Sequence, residues 1–391
     1  MKQKTRVLYI DIEGGWGGSS RSLYFLIKNL GRRDFEPVVV YGKKGPNNRR
    51  YAEIDVVSYC FSPIPRTTAM RCGNLKSIAV FSLKLLHLPR FLFFVNKLFR
   101  KYDFDIVHLN HESLFFIAIF FRIFFKVPIV THIRTMLPEN LAAKLQCRIT
   151  CRTSDYLIFI SENERNLWLS LYGDLGLLRQ SVIYNPAGNL RSDKEVSDEF
   201  DKALKDKFAV AVVSSISNYR GTDYLLDIAN IMRERRKTGV IFVVIGKINP
   251  KDKYAGALMG RIKSEGLEPY FLFTGYKENT LPWLEKCDIL LHVCRMVHNP
   301  WGRDIIEAMS AGKPVVSVGT YGKFVENGVN GFLVAGYKPH QITDKILSLS
   351  ADPDECTAIG RRNSEKAKKL FDSARYSKKI EEIYAGLLGS R

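Results

Sequence analysis

Short, mostly apolar runs alternate along this chain with longer stretches whose apolar positions recur at helical spacing. In the first half the runs are Arg6–Asp11, Pro37–Tyr41, Asp105–Asn110, Pro128–Ile133, Tyr156–Ser161 and Val182–Tyr184. Each is too short for a stable helix and carries no polar alternation, so each reads as a strand buried on both faces, the habit of parallel sheets. A second series follows: Phe208–Ser215, Val240–Gly246, Tyr270–Gly275, Asp288–Val293, Pro314–Val318 and Gly331–Val334, with a helix at Gly221–Arg236. Helical patterns fill the gaps, and that alternation is the mark of doubly wound α/β domains. The polar stretch Gly188–Lys207 reads as a linker, giving two Rossmann-like domains, 1–188 and 189–391, with a last helix near Ala374–Leu388 that could return to the first. Residues 42–75 carry Gly, Asn and Pro without a clear period and receive no assignment.

The stretch Asn299–Gly312 (N-P-W-G-R-D-I-I-E-A-M-S-A-G) joins two of these apolar runs. Pro300, Trp301 and Gly302 suit a turn, Asp304 suits a helix start, and Gly312 with Pro314 ends the helix. A glycine-bearing loop at a strand's carboxyl end, leading into a helix N-terminus, is where open α/β sheets bind ligands and where free amides suit phosphate. Glu307 falls in the first turns of that helix. A carboxylate suits a ribose diol rather than a phosphate, so the pattern points to a nucleotide; an ordinary crossover helix with a surface Glu is the alternative.

Other stretches add to it. Gly14, Gly15, Gly17 and Gly18 follow the first strand and allow close backbone approach. Arg220, in S-I-S-N-Y-R-G after Phe208–Ser215, can chelate phosphate with two parallel donors. His132 ends P-I-V-T-H-I and suits either sugar binding and catalysis or a structural role; His108 and His111 are weaker candidates. Asp103 and Asp105 have the D-x-D spacing of a metal site but open a buried strand, and no metal-ligand cluster accompanies them. The first strand lacks the G-x-G-x-x-G of a dinucleotide enzyme.

Charge modifies the picture. The net charge is +19, and residues 1–188 hold 27 Lys and Arg against 14 Asp and Glu. Between Val56 and Tyr102 there are eight basic residues and no acidic one, interleaved with Phe and Leu. That composition in segment 76–101 suits an anionic membrane surface. The more apolar segment 114–126 reads as a core helix. No nucleic-acid motif accompanies the basic charge, so nucleic acid is not expected. Seven scattered cysteines read as thiols of a reducing compartment, and the first residues carry no signal-peptide core. The expected setting is cytoplasmic, peripheral on the inner face of the plasma membrane.

The motifs together resemble glycosyltransferase family 4, retaining enzymes of the GT-B fold, in which two Rossmann-like domains face each other across a cleft. The matching pieces are G-G-S at Gly17, D-I-V-H-L-N, V-P-I-V-T-H, D-Y-L-I-F-I-S, V-I-Y-N-P, R-G at Arg220, L-F-T-G, W-G-R-D-I-I-E-A-M-S-A-G-K-P-V-V and N-G-V-N-G-F-L-V. The resemblance implies transfer from a nucleotide diphosphate sugar to a glycan or lipid-linked acceptor in bacterial surface-polysaccharide assembly, with no metal or other cofactor. It implies that Glu307 holds the ribose, that the backbone at Gly302, Arg303 and Asp304 meets the diphosphate or sugar, that Ser215 and Arg220 occupy the clamp positions, and that Gly275 and Tyr276 face the base. It further implies that Gly17 and Gly18 approach the diphosphate, and that His132 and Asn299 lie at the reacting sugar. Three positions depart from the family: Asn299 stands for a Glu, Ser215 for an Arg and Arg220 for a Lys. These departures leave a second expectation open, a degenerate GT-B protein that binds nucleotide or acts as a scaffold without turnover.

Overall fold

The structure is a computed structural model that describes residues 4–66, 79, 82–173, 178–188, 196–249, 251–295 and 302–389. The chain divides into two compact units, Met1–Gly188 with Ser373–Arg391, and Asn189–Asp372.

The first unit is a seven-stranded sheet of order β3-β2-β1-β4-β5-β6-β7. Its strands are β1 (Thr5–Asp11), β2 (Phe35–Tyr41), β3 (Val57–Cys60), β4 (Ile106–Leu109), β5 (Ile129–Ile133), β6 (Tyr156–Phe159) and β7 (Gln180–Val182). All pair in parallel. The helices are α1 (Gly18–Lys28), α2 (Asn47–Ala52), α3 (Leu88–Tyr102), α4 (Phe115–Phe124), α5 (Leu141–Thr153) and α6 (Glu162–Tyr172). The unassigned region thus contains α2 and β3. Helix α4 buries Phe115, Ile117, Ala118 and Phe121 as expected of a core helix, yet Ile123 and Phe124 are exposed, so only one face is core.

The second unit is a six-stranded parallel sheet of order β10-β9-β8-β11-β12-β13. Its strands are β8 (Phe208–Val213), β9 (Val240–Ile245), β10 (Phe271–Gly275), β11 (Ile289–His292), β12 (Val315–Val318) and β13 (Gly331–Val334). The helices are α7 (Asp198–Leu204), α8 (Tyr224–Glu234), α9 (Lys253–Ser264), α10 (Leu281–Lys286), α11 (Arg303–Ser310), α12 (Pro339–Ala351) and α13 (Pro353–Leu370). The direction of winding reverses between β1 and β4 in the first unit and between β8 and β11 in the second. These switch points open a crevice at the strands' carboxyl ends.

An Asp before a strand sets the register in three places. Asp105 accepts the Arg6 amide at 2.7 Å, Asp155 the Ile129 amide at 2.9 Å and Asp288 the Ala209 amide at 2.6 Å. Each carboxylate satisfies an amide at the start of the neighbouring strand that the ladder leaves open. Asp105 is therefore a strand-entry clamp, and Asp103 caps α3 in the left-handed conformation at φ 48°. Among the described residues no group of three or more His, Cys, Asp or Glu could share a metal ion. No helix among them is long and apolar enough to cross a membrane. The six described cysteines are free thiols.

Helix α14 (Ser373–Leu388) belongs to the first unit. Its buried face (Tyr376, Ile380, Ile383, Tyr384, Leu387) joins the core formed by β1, β2 and α1. The Ser377 hydroxyl donates to the Leu26 carbonyl at 3.0 Å, and Glu381 accepts the Gly31 amide at 2.7 Å. Beneath it runs a buried polar chain. The Tyr384 hydroxyl meets His108 Nδ1 and donates to the Tyr9 hydroxyl at 3.2 Å, and His108 Nε2 lies 2.8 Å from His132 Nδ1. Burial, with the Arg134 charge, lowers His108 to about 3 and drives His132 well below the usual imidazole range. Unfolded imidazoles take protons near pH 6.5 that the folded ones refuse, so this pair withdraws stability as pH falls from about 6.5 toward about 3.

Because Ile380 is fully buried under the sheet, Ile380→Ala should cost about 2–5 kcal/mol in urea or thermal unfolding. The exposed neighbour Lys379→Ala should stay within about 0.5 kcal/mol of the parent.

Candidate functional site

At the first unit's switch point, the glycine loop divides its glycines between two tasks. A Cβ on Gly14 would sit 1.6 Å from the Lys43 carbonyl oxygen, and one on Gly45 would sit 2.2 Å from the Gly14 oxygen. These glycines let the loops after β1 and β2 pack backbone to backbone. Gly17 and Gly18, by contrast, have open space around their Cβ positions and are exposed at the start of α1. Trp16 between them lies under the guanidinium of Arg50 at 4.1 Å.

Behind the loop a set of polar side chains bond to one another. Arg134 donates from Nε to the Asn110 carbonyl at 2.7 Å, from Nη2 to Asn110 Oδ1 at 2.6 Å and from Nη1 to Asn185 Oδ1 at 2.8 Å. Its amide donates to the fully buried Glu112 at 2.8 Å. Asn110 in turn donates to Asp11 at 2.9 Å; burial pushes the Asp11 carboxyl up, only partly offset by such hydrogen bonds. Arg134 thus ties the ends of β4 and β5 to the segment after β7. His132, singled out for sugar binding or catalysis, is fully buried, with Nδ1 on His108 and Nε2 3.5 Å from the Tyr376 hydroxyl. Both nitrogens face partners within this unit, on β4 and α14.

In the second unit, Ser215 is exposed just past β8 and Arg220 is half-buried at the end of a single turn, Asn218–Arg220. Gly221 follows in the left-handed region at φ 65°. Arg295, just past β11, braces this turn. Its Nε donates to the Asn218 carbonyl at 2.8 Å, Nη2 reaches both Asp223 oxygens at 2.7 and 2.5 Å, and the guanidinium covers the Tyr224 ring at 4.7 Å. Sequence reasoning passed over Arg295 because its partner lies 72 positions away.

Helix α11 starts at Gly302, its extended N-cap. Glu307 is buried; the Thr280 hydroxyl donates to Oε2 at 2.5 Å, and Arg303 Nε lies 3.1 Å from Oε1. Asp304 turns inward and meets His292 Nδ1 at 2.6 Å. Burial pushes the Asp304 carboxyl up, but His292 and the Arg220 charge overcome it and hold it below the usual range. A Cβ on Gly302 would sit 2.2 Å from Asp304 Oδ1 and 3.3 Å from His292 Cε1, so any larger residue must move the Asp304 carboxylate. Arg220, Gly302, Arg303, Asp304 and Glu307 therefore come together in one unit, with Thr280 and His292 as additions that sequence reasoning missed. Gly275, at φ 73°, and the exposed Tyr276 end β10, two strand spacings or about 10 Å from β8. Asn299, Pro300 and Trp301 lie outside the described residues.

Two all-parallel α/β units, each with an open loop and a helix N-terminus at its switch point, define a two-domain Rossmann-like protein of the GT-B architecture. The chain belongs to the GT-B glycosyltransferases: residues 16–187 match the family described as Glycosyltransferase Family 4 and residues 207–352 match Glycosyl transferases group 1. It is similar to the poly(ribitol-phosphate) alpha-N-acetylglucosaminyltransferase of Staphylococcus aureus, 29% identical over 38% of this chain and 29% of that protein. It is also similar to the mannosylfructose-phosphate synthase of Agrobacterium fabrum, 28% identical over 37% of this chain and 34% of that one. The match thus spans about a third of these curated relatives' length. Among solved structures, Anabaena HepE in complex with UDP superposes with a TM-score of 0.76 at 21% identity, covering 98% of this chain and 100% of that one. Sucrose-phosphate synthase from Thermosynechococcus elongatus gives 0.77 at 15% identity, covering 99% and 100%. At these identities the likeness is one of fold.

Gly302→Ala must displace the Asp304 carboxylate or His292, so a melt should show a loss of about 1–3 kcal/mol. Gly17→Ala, with nothing within 4 Å of its Cβ, should leave the melt within about 0.5 kcal/mol.

Proposed function

We propose that the protein is a retaining, metal-independent glycosyltransferase that takes a sugar from a nucleoside diphosphate sugar and passes it to a glycan or lipid-linked acceptor in cell-surface polysaccharide assembly. The observation that carries this is Glu307, buried and held by Thr280 and Arg303 in the first turns of α11, beside a helix N-terminus and Arg220 at the switch point. The carboxylate suits a ribose diol, and the amides at Gly302–Asp304 with the Arg220 guanidinium suit a diphosphate. As the glycosidic bond breaks, negative charge grows on the leaving phosphate. Preorganised amides and a guanidinium stabilise it without a metal ion. The leaving phosphate then takes the acceptor's proton on the face it departs from, which preserves the anomeric configuration. HepE was solved with UDP and with UDP-glucose, which supports a uridine donor. Tyr276 at the end of β10 offers an exposed ring for the base.

The acceptor side draws on charge. In α3, Arg90, Phe93 and Lys97 lie on one exposed face, with Phe93 61% exposed and Lys97 Nζ 4.6 Å from its ring. Leu86 before the helix and Ile123 and Phe124 in α4 are also exposed, and Phe99 of α3 stacks on Phe125 at 4.0 Å. Apolar side chains flanked by Lys and Arg fit the interface of an anionic bilayer. The reading places the protein peripherally on the inner face of the plasma membrane. Residues 76–78, 80 and 81 of that basic segment lie outside the described residues.

A thermal-shift titration in EDTA tests the donor reading. UDP or a UDP-sugar at a hundred times its dissociation constant should add about 2.7 kcal/mol of stability, and Glu307→Ala should weaken binding by roughly 10-fold or more. No shift with any nucleotide would instead favour a degenerate scaffold. Flotation with phosphatidylglycerol vesicles tests the membrane reading: Arg90→Glu with Lys97→Glu should lower binding by at least roughly 30-fold at low salt, at about 1 kcal/mol per basic residue. Equal flotation of parent and variant would refute it.

A further inference from the structure

His292 is a buried group beside α11 with unspent hydrogen-bonding capacity. It ends β11 on the face covered by α11, is 3% exposed, and its Nε2 has no partner among the described residues. Its Nδ1 lies 2.6 Å from Asp304 Oδ2, in the first turn of α11. A neutral ring that donates its Nδ1–H to a carboxylate keeps Nε2 as an acceptor. Buried acceptors in native proteins are almost always satisfied, so an open one in a ligand crevice asks for a donor from the ligand. The ring packs against the start of α11, whose N-cap borders the crevice: His292 Cε1 lies 3.3 Å from the point where a Cβ on Gly302 would stand. The Arg220 charge acts on Asp304, so that guanidinium shares the neighbourhood.

The chemistry of a nucleoside diphosphate sugar selects its own partner for this atom. The diphosphate offers acceptors only, which match the amides and Arg220 and clash with a bare Nε2. The sugar offers hydroxyl donors. We infer that His292, oriented by Asp304, accepts a hydrogen bond from a hydroxyl of the sugar carried by the donor, and so takes part in choosing that sugar. Asp304 is then a positioning residue that fixes the ring's tautomer and does not itself touch the ligand. The inference rests on the donor reading above and names the part of the donor that this residue reads.

Asparagine and glutamine separate the two ring nitrogens. Asparagine keeps a donor where Nδ1 was and leaves nothing at Nε2; glutamine puts an amide near Nε2 and gives up the bond to Asp304. Calorimetric affinities for UDP, UDP-glucose and UDP-N-acetylglucosamine would be measured on the full chain, its His292→Asn and His292→Gln variants, with melting temperatures beside them. The expected result is that His292→Asn melts near the parent and binds UDP within about twofold of it. Its affinity for the preferred UDP-sugar falls about tenfold, the loss typical of one unpaired polar contact, and His292→Gln regains part of it. An unchanged ratio of UDP-sugar to UDP affinity overturns the inference and leaves the donor reading standing. An equal loss for UDP and UDP-sugar also overturns it, since the ring would then prop the helix or meet the diphosphate. A parent that binds none of the three overturns the inference together with the uridine form of the donor reading.

Discussion

A parallel sheet delivers the carboxyl ends of its strands to one edge, and the helix that follows each strand begins there with amides that nothing in the helix can satisfy. Everything functional in this chain follows from how those open groups are treated. The reversal of strand order, between β1 and β4 and again between β8 and β11, sends the following helices to opposite faces and leaves a crevice in which the amides stay reachable. The Asp clamps at Asp105, Asp155 and Asp288 hold the opposite edge closed. Each unit is therefore sealed at one end and open at the other.

The two units use the open end differently. In the first, Arg134, Asn110, Asp11 and Glu112 bond to one another, and the histidines at the strand ends turn inward against α14. The exposed backbone at Gly17 and Gly18 is what this edge leaves accessible. In the second, the pairs are shorter in range and centre on α11: Arg303 with Glu307 within it, and Asp304 with His292 at the end of β11. These contacts hold side chains in place around the helix N-terminus and leave polar capacity facing the crevice. Packing dominates one edge and preorganisation the other.

The strands were legible because runs such as V-L-Y-I and F-V-V-I have no soluble alternative to burial on two faces. Strand β3 was not, since V-S-Y-C is four residues long, half-buried at the sheet's edge, with Val57 exposed. Glu307 could be placed because a helix start and its offset are local facts. The pairing of Asp304 was not readable: an Asp in a first turn suits its own helix's amides equally well, and His292 is twelve positions away across the crevice loop. His132 illustrates the same limit from the other side. A strand-end histidine looks identical in sequence whether its ring faces solvent or faces Tyr376, which is 244 residues distant. Periodicity reports which positions are buried, and it is silent on which buried polar groups find each other.

Charge at the second unit's crevice explains why the departures at 215 and 220 matter physically. Arg303 is paired with Glu307 and Arg295 with Asp223, so neither is a full counterion for an incoming diphosphate. Arg220 makes no ion pair among the described residues, and the helix N-terminus adds a partial positive charge equal to about half an electron. A second guanidinium at Ser215 would bring a charge-assisted hydrogen bond of about 1.5–3 kcal/mol. The serine offers a hydroxyl, which supplies one neutral donor. A fork at Arg220 recovers part of the difference, because two parallel donors match two phosphate oxygens where an ammonium offers a point charge. On the donor reading proposed above, the electrostatic load of the leaving group concentrates on one side chain and one helix end. The contacts that hold both still, Arg295 on the Asn218–Arg220 turn and Gly302 against Asp304 and His292, become as consequential as the groups that face the ligand.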